Sequence, residues 1–285
     1  VDYTTGEIFN FHVGSLDAGL PNGPGYRVDE NGNVDETYRK TMNFALTSST
    51  DNGYTWSSRI ITNEVLGARA AQLDGCFATS GAGIQKMHEP YKGRLLQQAA
   101  CRVKGSTFQA ITIYSDDHGK TWHGGEFASA TEGAPTNGRW QYDENKIVEL
   151  SDGRLMLNSR VSGGTASGYR IVATSDDGGV TWQDIHVDKN LVDATNNAQI
   201  IRAFPTAEKG TLRSKVLLFS NTESGRTNGT VKMSYDDGTT WPISRQVRQG
   251  GTGYTTMAVQ PDGAIGLLME PDVFNKIGYV NFTLK

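Results

Sequence analysis

The chain carries little charge of either sign and has no cluster of basic residues. Charged residues make up 20% of its 285 positions, and the formal net charge is −4. Proteins that bind nucleic acid usually present a basic patch to the phosphates, so this composition argues against a nucleic-acid partner. Long apolar runs are missing too. No stretch approaches the roughly 18 residues of a membrane-spanning helix, and we expect no membrane span.

Histidine and cysteine are scarce. The five histidines show no spacing typical of metal ligands, so we expect neither a metal site nor a cofactor. Two of them, His118 and His123, flank a turn motif and are predicted to lie at the surface. The two cysteines, Cys76 and Cys101, lie in apolar, strand-like surroundings. They could form a disulfide between neighbouring strands or remain two buried thiols, and the sequence leaves both open.

Glycine, in contrast, is abundant at 34 residues, and one glycine-containing octapeptide recurs. The pattern Ser-x-Asp-x-Gly-x-Thr-Trp begins at Ser49, Ser115, Ser175 and Ser234, so the copies are 66, 60 and 59 residues apart. A repeat of about 60 residues between short apolar segments is typical of radially arranged β-sheets. Amphipathic helical stretches of useful length are absent. We therefore predict an all-β propeller that forms a single domain over residues 1–285.

Each octapeptide has the composition of a β-hairpin turn. Its Asp can accept hydrogen bonds from backbone N–H groups further along the turn, and its Gly can adopt a positive φ. The Trp is expected to fold back as an apolar plug whose indole N–H reaches a carbonyl. The preceding segments, such as Phe108–Tyr114 and Arg170–Thr174, are rich in β-branched residues and predict strands. We interpret the octapeptides as structural turns, one in each blade.

Four segments depart from this repeat. Tyr142–Arg160 predicts a strand, an Asp-Gly turn and a second strand, an arrangement that could direct Glu144 and Arg160 to one channel. The alternative is a surface Glu within an ordinary cross-strand ion pair. Arg226 lies in a loop rich in Gly, Ser and Asn, where an Arg is usually solvated. Tyr254 follows a Gly-rich bend and would by default be a packed aromatic. The fourth segment, Asn196–Phe204, is polar and then apolar, and by itself it indicates no role.

Together these segments and the four octapeptides resemble a bacterial sialidase of the secreted, actinobacterial type. The resemblance runs from Ile8 to the C-terminus. The octapeptides correspond to Asp-boxes (BNR repeats), which several propeller families share, but the order Glu, Arg, Arg, Tyr in these contexts is more specific. The resemblance implies a six-bladed sialidase propeller and an exo-α-sialidase, a glycoside hydrolase. It further implies sialylated glycans or glycolipids as substrates, and a secreted or cell-surface location.

The resemblance also implies roles for four residues. Tyr254 would be the nucleophile, Glu144 the base that assists it, and Arg160 and Arg226 two of the arginines that bind the substrate carboxylate. Sialic acid has a carboxylate on its anomeric carbon, which would repel an anionic nucleophile, whereas a neutral Tyr avoids this repulsion. Guanidinium groups suit the carboxylate because they donate two parallel hydrogen bonds. The implied reaction is hydrolysis with retention through a sialosyl-tyrosine intermediate.

Part of the family pattern has no counterpart in the sequence. The family has a third arginine in an Arg-Ile-Pro-like segment of the first blade, and an acid/base Asp in the same blade. Neither context occurs here, and none of Asp2, Asp17, Asp29 and Asp35 has matching surroundings. Six blades of about 60 residues would need about 360 residues. We therefore expect a propeller that is incomplete at its N-terminus, because the sequence is truncated, cleaved or half of a nicked protein. A separate N-terminal fragment of the same protein is then one candidate partner.

Two alternatives to the sialidase remain at this stage. One is a non-catalytic sialoside-binding module, which keeps the arginines but lacks the acid. The other is a structural Asp-box propeller in which Glu144 and Tyr254 are incidental. The structural alternative predicts that the four candidate side chains do not converge in space.

Overall fold

The computed structural model describes residues 1–16, 24–105, 107–128, 140–164, 168–272 and 275–284. Strands dominate these residues and form five antiparallel sheets that follow one another along the chain. The helical elements are short: α1 spans Thr62–Leu66, and two 3₁₀ turns span Gly67–Gln72 and Arg213–Lys215. Within the described residues, no helix has the length and apolar character needed to cross a membrane.

Each sheet is one blade of a β-propeller. The first blade contains β1 (Ile8–Gly14), β2 (Asn43–Ser49) and β3 (Ser57–Ile60). The second contains β4 (Leu73–Ala78), β5 (Ile84–Gln85), β6 (Leu95–Val103), β7 (Phe108–Ser115) and β8 (His123–Gly124). The third contains β9 (Trp140–Glu149), β10 (Leu155–Gly164), β11 (Gly168–Ser175) and β12 (Gln183–Asp193). The fourth contains β13 (Gln199–Arg202), β14 (Leu217–Ser224), β15 (Thr227–Ser234) and β16 (Ile243–Gln246). The fifth contains β17 (Thr252–Val259), β18 (Ile265–Pro271) and β19 (Gly278–Phe282).

The propeller prediction is confirmed, but the predicted number of blades is wrong. The described residues form five sheets, and not the six of the complete propeller that the resemblance implies. The expectation of six came from the family resemblance, whereas a repeat of about 60 residues in a chain of 285 allows about five. Incompleteness at the N-terminus stays a prediction.

The four octapeptides form the hairpin turns predicted for them. They connect β2 to β3, β7 to β8, β11 to β12 and β15 to β16. In the first turn, Asp51 accepts hydrogen bonds from the amide and the hydroxyl of Thr55, at 2.8 and 2.6 Å. The amide of Gly53, whose φ is +88°, donates to Ser49 Oγ at 2.8 Å. The same set of bonds surrounds Asp117, Asp177 and Asp236.

The tryptophans of these turns are buried to different degrees. Trp122 and Trp182 are 2% and 0% exposed, as expected of apolar plugs, whereas Trp56 is 48% exposed and the prediction is wrong for it. The indole of Trp56 still donates to Gly53 O at 2.9 Å, so the local fold of the turn is intact. Packing between blades accounts for the burial of Trp122. Its ring packs edge-on against Phe9 and Phe11 of the preceding blade, with centroid distances of 5.5 and 4.9 Å.

The core consists of apolar clusters between consecutive blades. Four clusters fill the four junctions, with members such as Leu46 and Ile111, Leu96 and Leu157, Met156 and Phe219, and Leu218 and Leu267. Alternating side chains of each strand face opposite sides of its sheet, so one blade contributes to the clusters on both of its faces. Burial of these faces aligns the blades side by side.

The open question about the cysteines is answered by the register of the second blade. Cys76 of β4 lies directly opposite Cys101 of β6, and the two form a disulfide that closes a separation of 25 residues. Of the two histidines predicted to lie at the surface, His123 is exposed and the side chain of His118 is 42% exposed. His118 Nδ1 lies 2.7 Å from Asp2 Oδ2.

Candidate active site

Three neighbouring blades contribute the four candidate residues. The first strands of these blades lie side by side, because β13 contacts both β9 and β17. Glu144 belongs to β9, and Arg160 belongs to β10, which pairs with β9. Tyr254 belongs to β17, and Arg226 lies in the turn between β14 and β15. The strand–turn–strand prediction for Tyr142–Arg160 is confirmed by β9 and β10.

The side chains of Tyr254, Arg160 and Glu144 converge. Arg160 Nη1 donates to Tyr254 Oη at 3.2 Å and to Glu144 Oε2 at 2.6 Å. Glu144 is only 6% exposed, and Tyr254 is half-buried. A phenol, a guanidinium group and a carboxylate therefore form one partly desolvated cluster, in which charged hydrogen bonds are stronger than they would be in water.

Arg226 approaches the same cluster from the neighbouring turn. Its guanidinium carbon lies 5.4 Å from the centroid of the Tyr254 ring, within the range of a cation–π interaction. Its Nη2 also donates to Thr195 O at 3.2 Å. All four candidate side chains are thus brought together, contrary to the scattering that the structural alternative predicts.

Burial and charge set the protonation states of the cluster. Burial raises the pKa of Tyr254, and the charge and hydrogen bond of Glu144 raise it further, against the opposing effect of Arg160. Tyr254 is therefore a neutral phenol at neutral pH. Burial lowers the pKa of Arg160, but the charges of Asp143 and Glu144 outweigh it and the net shift is upward. Arg160 remains a cation.

Two acidic residues beside the cluster, Asp143 and Glu270, were not predicted from the sequence. Asp143 Oδ2 lies 3.4 Å from Arg160 Nε, and the Ser162 hydroxyl donates to the same carboxylate. Glu270 of β18 accepts a hydrogen bond from the Tyr254 amide at 2.9 Å. Asp143 lies in β9 directly before Glu144, and Glu270 lies in β18; neither belongs to a recurring motif of the sequence.

Two buried cations were also missed. Arg170 is fully buried, with Nε bonded to Asn158 Oδ1 at 2.8 Å and Nη1 at 3.5 Å from Asp193 Oδ1. Lys146 is 3% exposed, and burial lowers its pKa to about 7 against the opposing charge of Glu144. A signal existed for Arg170, since it opens the strand predicted at Arg170–Thr174 and a charged residue beside apolar ones needs a partner.

The described aspartates of the N-terminal part make structural hydrogen bonds. Asp2 is buried, and it accepts bonds from the Thr4 amide and Gln85 Nε2 at 2.8 and 2.9 Å. Asp29 and Asp35 accept hydrogen bonds within their own turns. Asp17 lies outside the described residues. No acid/base residue is assigned from these contacts.

Comparison with known proteins identifies the family. Residues 26–267 match the family model of the BNR repeat-like domain. A sialidase of Micromonospora viridifaciens is 45% identical over 290 aligned residues, which cover 100% of this chain. Among solved structures, the Hadza microbial sialidase Hz136 superposes with a TM-score of 0.76 at 30% identity over 100% of this chain. The intramolecular trans-sialidase from Ruminococcus gnavus, solved in complex with oseltamivir carboxylate, superposes over 86% of the chain with a TM-score of 0.68 at 26% identity.

The chain spans only part of these relatives. It covers 41% of the Micromonospora sialidase and 51% of each of the two solved chains. Secretion and a separate N-terminal fragment stay predictions. The match to the family model and the identity over the whole chain agree with the five-bladed sheet architecture and the repeated turns. The chain therefore belongs to the BNR repeat-like domain family and, within it, to the sialidases.

Proposed function

We propose that this chain is the catalytic propeller domain of an exo-α-sialidase, which cleaves terminal sialic acid from glycans or glycolipids with retention. The domain comprises residues 1–285 and acts outside the cell or at its surface. The observation that supports this proposal best is the bridging position of Arg160, which bonds both the Tyr254 hydroxyl and the Glu144 carboxylate. The relatives named as sialidases support the same substrate class.

In the proposed first step, the Tyr254 oxygen forms a bond to the anomeric carbon while the bond to the leaving oxygen breaks. The phenol proton passes to Glu144, and the leaving oxygen takes up a proton from an acid that we do not assign. Water then attacks the anomeric carbon and the bond to the Tyr254 oxygen breaks. The proton of the water passes to the unassigned acid, which lost its own in the first step, and Glu144 returns its proton to Tyr254. Because Tyr254 begins as a neutral phenol, it can approach a carbon that bears a carboxylate without charge repulsion.

Arg160 and Arg226 are the proposed carboxylate-binding residues. Each well-aligned hydrogen bond from a guanidinium to the substrate carboxylate would contribute about 1.5–3 kcal/mol. Arg160 stays charged beside Asp143 and Glu144, so it can serve the substrate and the nucleophile together. Arg226 adds a second positive charge at the ring of Tyr254.

The proposal is tested by replacing Tyr254 with Phe. The wild-type chain is expected to release the fluorophore from an aryl sialoside, whose leaving group needs little protonation, and Tyr254→Phe should lose normal turnover because the nucleophilic oxygen is gone. A fluorinated sialosyl donor should label Tyr254, as seen by mass spectrometry of the peptide. Proton NMR should show the α-anomer of sialic acid as the first product. Normal turnover by Tyr254→Phe would show that the nucleophile is assigned wrongly.

A non-catalytic sialoside-binding module is the second candidate, because Asp2, Asp29 and Asp35 of the described residues are engaged in structural hydrogen bonds. It predicts saturable binding of a sialoside that depends on Arg160, with no label on Tyr254 and no release of the fluorophore. The two candidates differ in chemistry and share the same cluster.

A further inference from the structure

The backbone around Tyr254 departs from regular strand pairing. The register of β17 against β18 shifts between Thr252 and Thr255, which takes Gly253 and Tyr254 out of the ladder. A bulge of this kind re-aims a side chain, and such bulges are frequent beside active sites. The displaced backbone groups must find other partners, because buried peptide groups without hydrogen bonds are costly.

Asn196 and Asn197 of the neighbouring blade supply such partners. They precede β13 and are 0% and 3% exposed. Asn196 Nδ2 donates to Gly253 O at 2.6 Å. On the other side of Tyr254, Asn197 O accepts from the Thr255 amide at 3.3 Å, and Asn197 Nδ2 donates to Thr255 O at 3.5 Å. The two asparagines thus hold the residues on both sides of Tyr254.

Each asparagine is held in turn by a buried basic side chain. Arg170 Nη1 donates to Asn196 O at 3.1 Å, and Lys146 Nζ donates to Asn197 Oδ1 at 2.7 Å. Because Lys146 Nζ donates to the oxygen of the Asn197 side chain, the amide nitrogen is left to face β17. The orientation of Asn197 is therefore set from β9.

The same basic side chains connect the asparagines to Glu144. Lys146 lies two residues after Glu144 in β9, and Arg170 Nη2 donates to Glu144 O at 3.5 Å. One buried network therefore reaches both the strand that bears Glu144 and the bulge that bears Tyr254.

We propose that Asn196 and Asn197 are positioning residues that hold the bulge of β17 and so keep the Tyr254 hydroxyl at Arg160 and Glu144. The role of Tyr254 in this inference rests on the proposed function. The asparagines act only through Tyr254. Without their hydrogen bonds, β17 can relax toward regular pairing, and a change of register by one residue turns a side chain to the opposite face of its sheet.

The kinetic test uses Asn196→Ala and Asn197→Ala, with Asn43→Ala as a matched control. Asn43 is also buried, and its Nδ2 donates to a backbone carbonyl, that of Tyr38, at 3.1 Å, but it lies in the first blade. With an aryl sialoside, kcat of the first two variants should fall roughly 10- to 100-fold, as expected for a displaced reacting group. Their KM should stay within about threefold, because the arginines remain. Asn43→Ala should retain the kcat of the wild type.

A crystal structure of each variant gives a readout that does not depend on turnover. In Asn196→Ala the Tyr254 hydroxyl should move away from Arg160 Nη1, to which it is bonded at 3.2 Å in the wild type. In Asn43→Ala it should stay in place. An undisplaced hydroxyl in Asn196→Ala and Asn197→Ala would overturn the positioning role, whatever the activity. Failure of the proposed function would show in other results: the wild-type chain would not turn over the aryl sialoside, or the Tyr254→Phe variant would turn it over normally.

Discussion

Arg160 joins groups from two strands other than its own. Its Nε lies 3.4 Å from Asp143 Oδ2, and its Nη1 donates both to Glu144 on β9 and to Tyr254 on β17. A lysine has one compact charge and cannot occupy these positions together. The geometry of the cluster therefore depends on the fork of the guanidinium group as well as on its charge.

We expect Arg160→Lys to lower kcat/KM for an aryl sialoside by roughly 10- to 100-fold, the equivalent of about one charged hydrogen bond. Steady-state kinetics with wild type and variant provide the measurement. Arg154→Lys is the control, because Arg154 is 43% exposed and pairs with Asp152 in the turn between β9 and β10. Equal effects of the two substitutions would contradict a specific role for Arg160.

At the scale of the element, the Asp-box turns are held by carboxylates whose pKa is low. Burial raises the pKa of Asp117, but hydrogen bonds from Thr121 and Ser115 outweigh it and lower the pKa to about 2. The folded-state pKa is thus below the ordinary value of 3.8. The contribution of Asp117 to stability is present above the ordinary value and is lost as the pH falls toward 2.

Replacing Asp117 with Asn should therefore change how the melting temperature depends on pH. The wild type should lose stability between about pH 4 and pH 2 more steeply than Asp117→Asn, because the variant has no carboxylate to protonate at this turn. Thermal unfolding at several pH values measures the difference. The exposed Glu30 provides the control, and Glu30→Gln should follow the wild-type curve. Parallel curves for Asp117→Asn and the wild type would disprove the assignment.

The local elements were the part of the fold that could be predicted from the sequence. The Asp-box turns, the strands around Phe108–Tyr114 and the hairpin of Glu144 and Arg160 depend on neighbours in the chain, and all are confirmed. The exposure of Trp56 could not be predicted, because the burial of a turn Trp depends on the blade packed beside it. The roles of Asn196 and Asn197 escaped detection for the same reason, since their partners are almost 60 residues away.

At the scale of the whole molecule, Glu149 joins three blades. Its carboxylate, 3% exposed, bonds Lys86 Nζ at 2.9 Å and the amides of Met87 and His88 at 2.8 and 3.0 Å. Arg202 Nη1 lies 3.5 Å from its second oxygen. Lys86 follows β5 of the second blade, Glu149 ends β9 of the third, and Arg202 ends β13 of the fourth. Removing the charge of Glu149 would leave the buried side chains of Lys86 and Arg202 without a counter-ion.

We expect Glu149→Gln to lower the free energy of unfolding by about 3–5 kcal/mol, the cost typical of breaking a buried ion pair. Unfolding in urea, followed by tryptophan fluorescence, measures the change. Glu223→Gln is the control, because Glu223 is 46% exposed beside Lys232 and its loss should cost less than about 1 kcal/mol. A similar small cost for Glu149→Gln would show that the three blades do not depend on this carboxylate.

The number of blades was the whole-molecule feature that sequence reasoning predicted wrongly. The spacing of the Asp-boxes fixes the length of one blade, but the fifth sheet has no box between β18 and β19, whose residues 265–271 and 278–282 are described. Counting boxes therefore gives four units, one fewer than the five sheets of the described residues. The convergence of Glu144 and Tyr254 across blades follows from side-by-side packing of strands, which no local pattern expresses.

The order in which the chain folds should follow from the way its strands pair. Apart from β4 with β6, each described pair of strands joins strands that are consecutive in the chain, so pairing within a blade is more local in sequence than packing between blades. Contacts of this kind close short loops and form rapidly, whereas contacts between distant segments form late. We therefore expect individual blades to form early and to dock afterwards. The cluster of Glu144, Arg160, Arg226 and Tyr254, which spans three blades, would then be completed only in the last stage of folding.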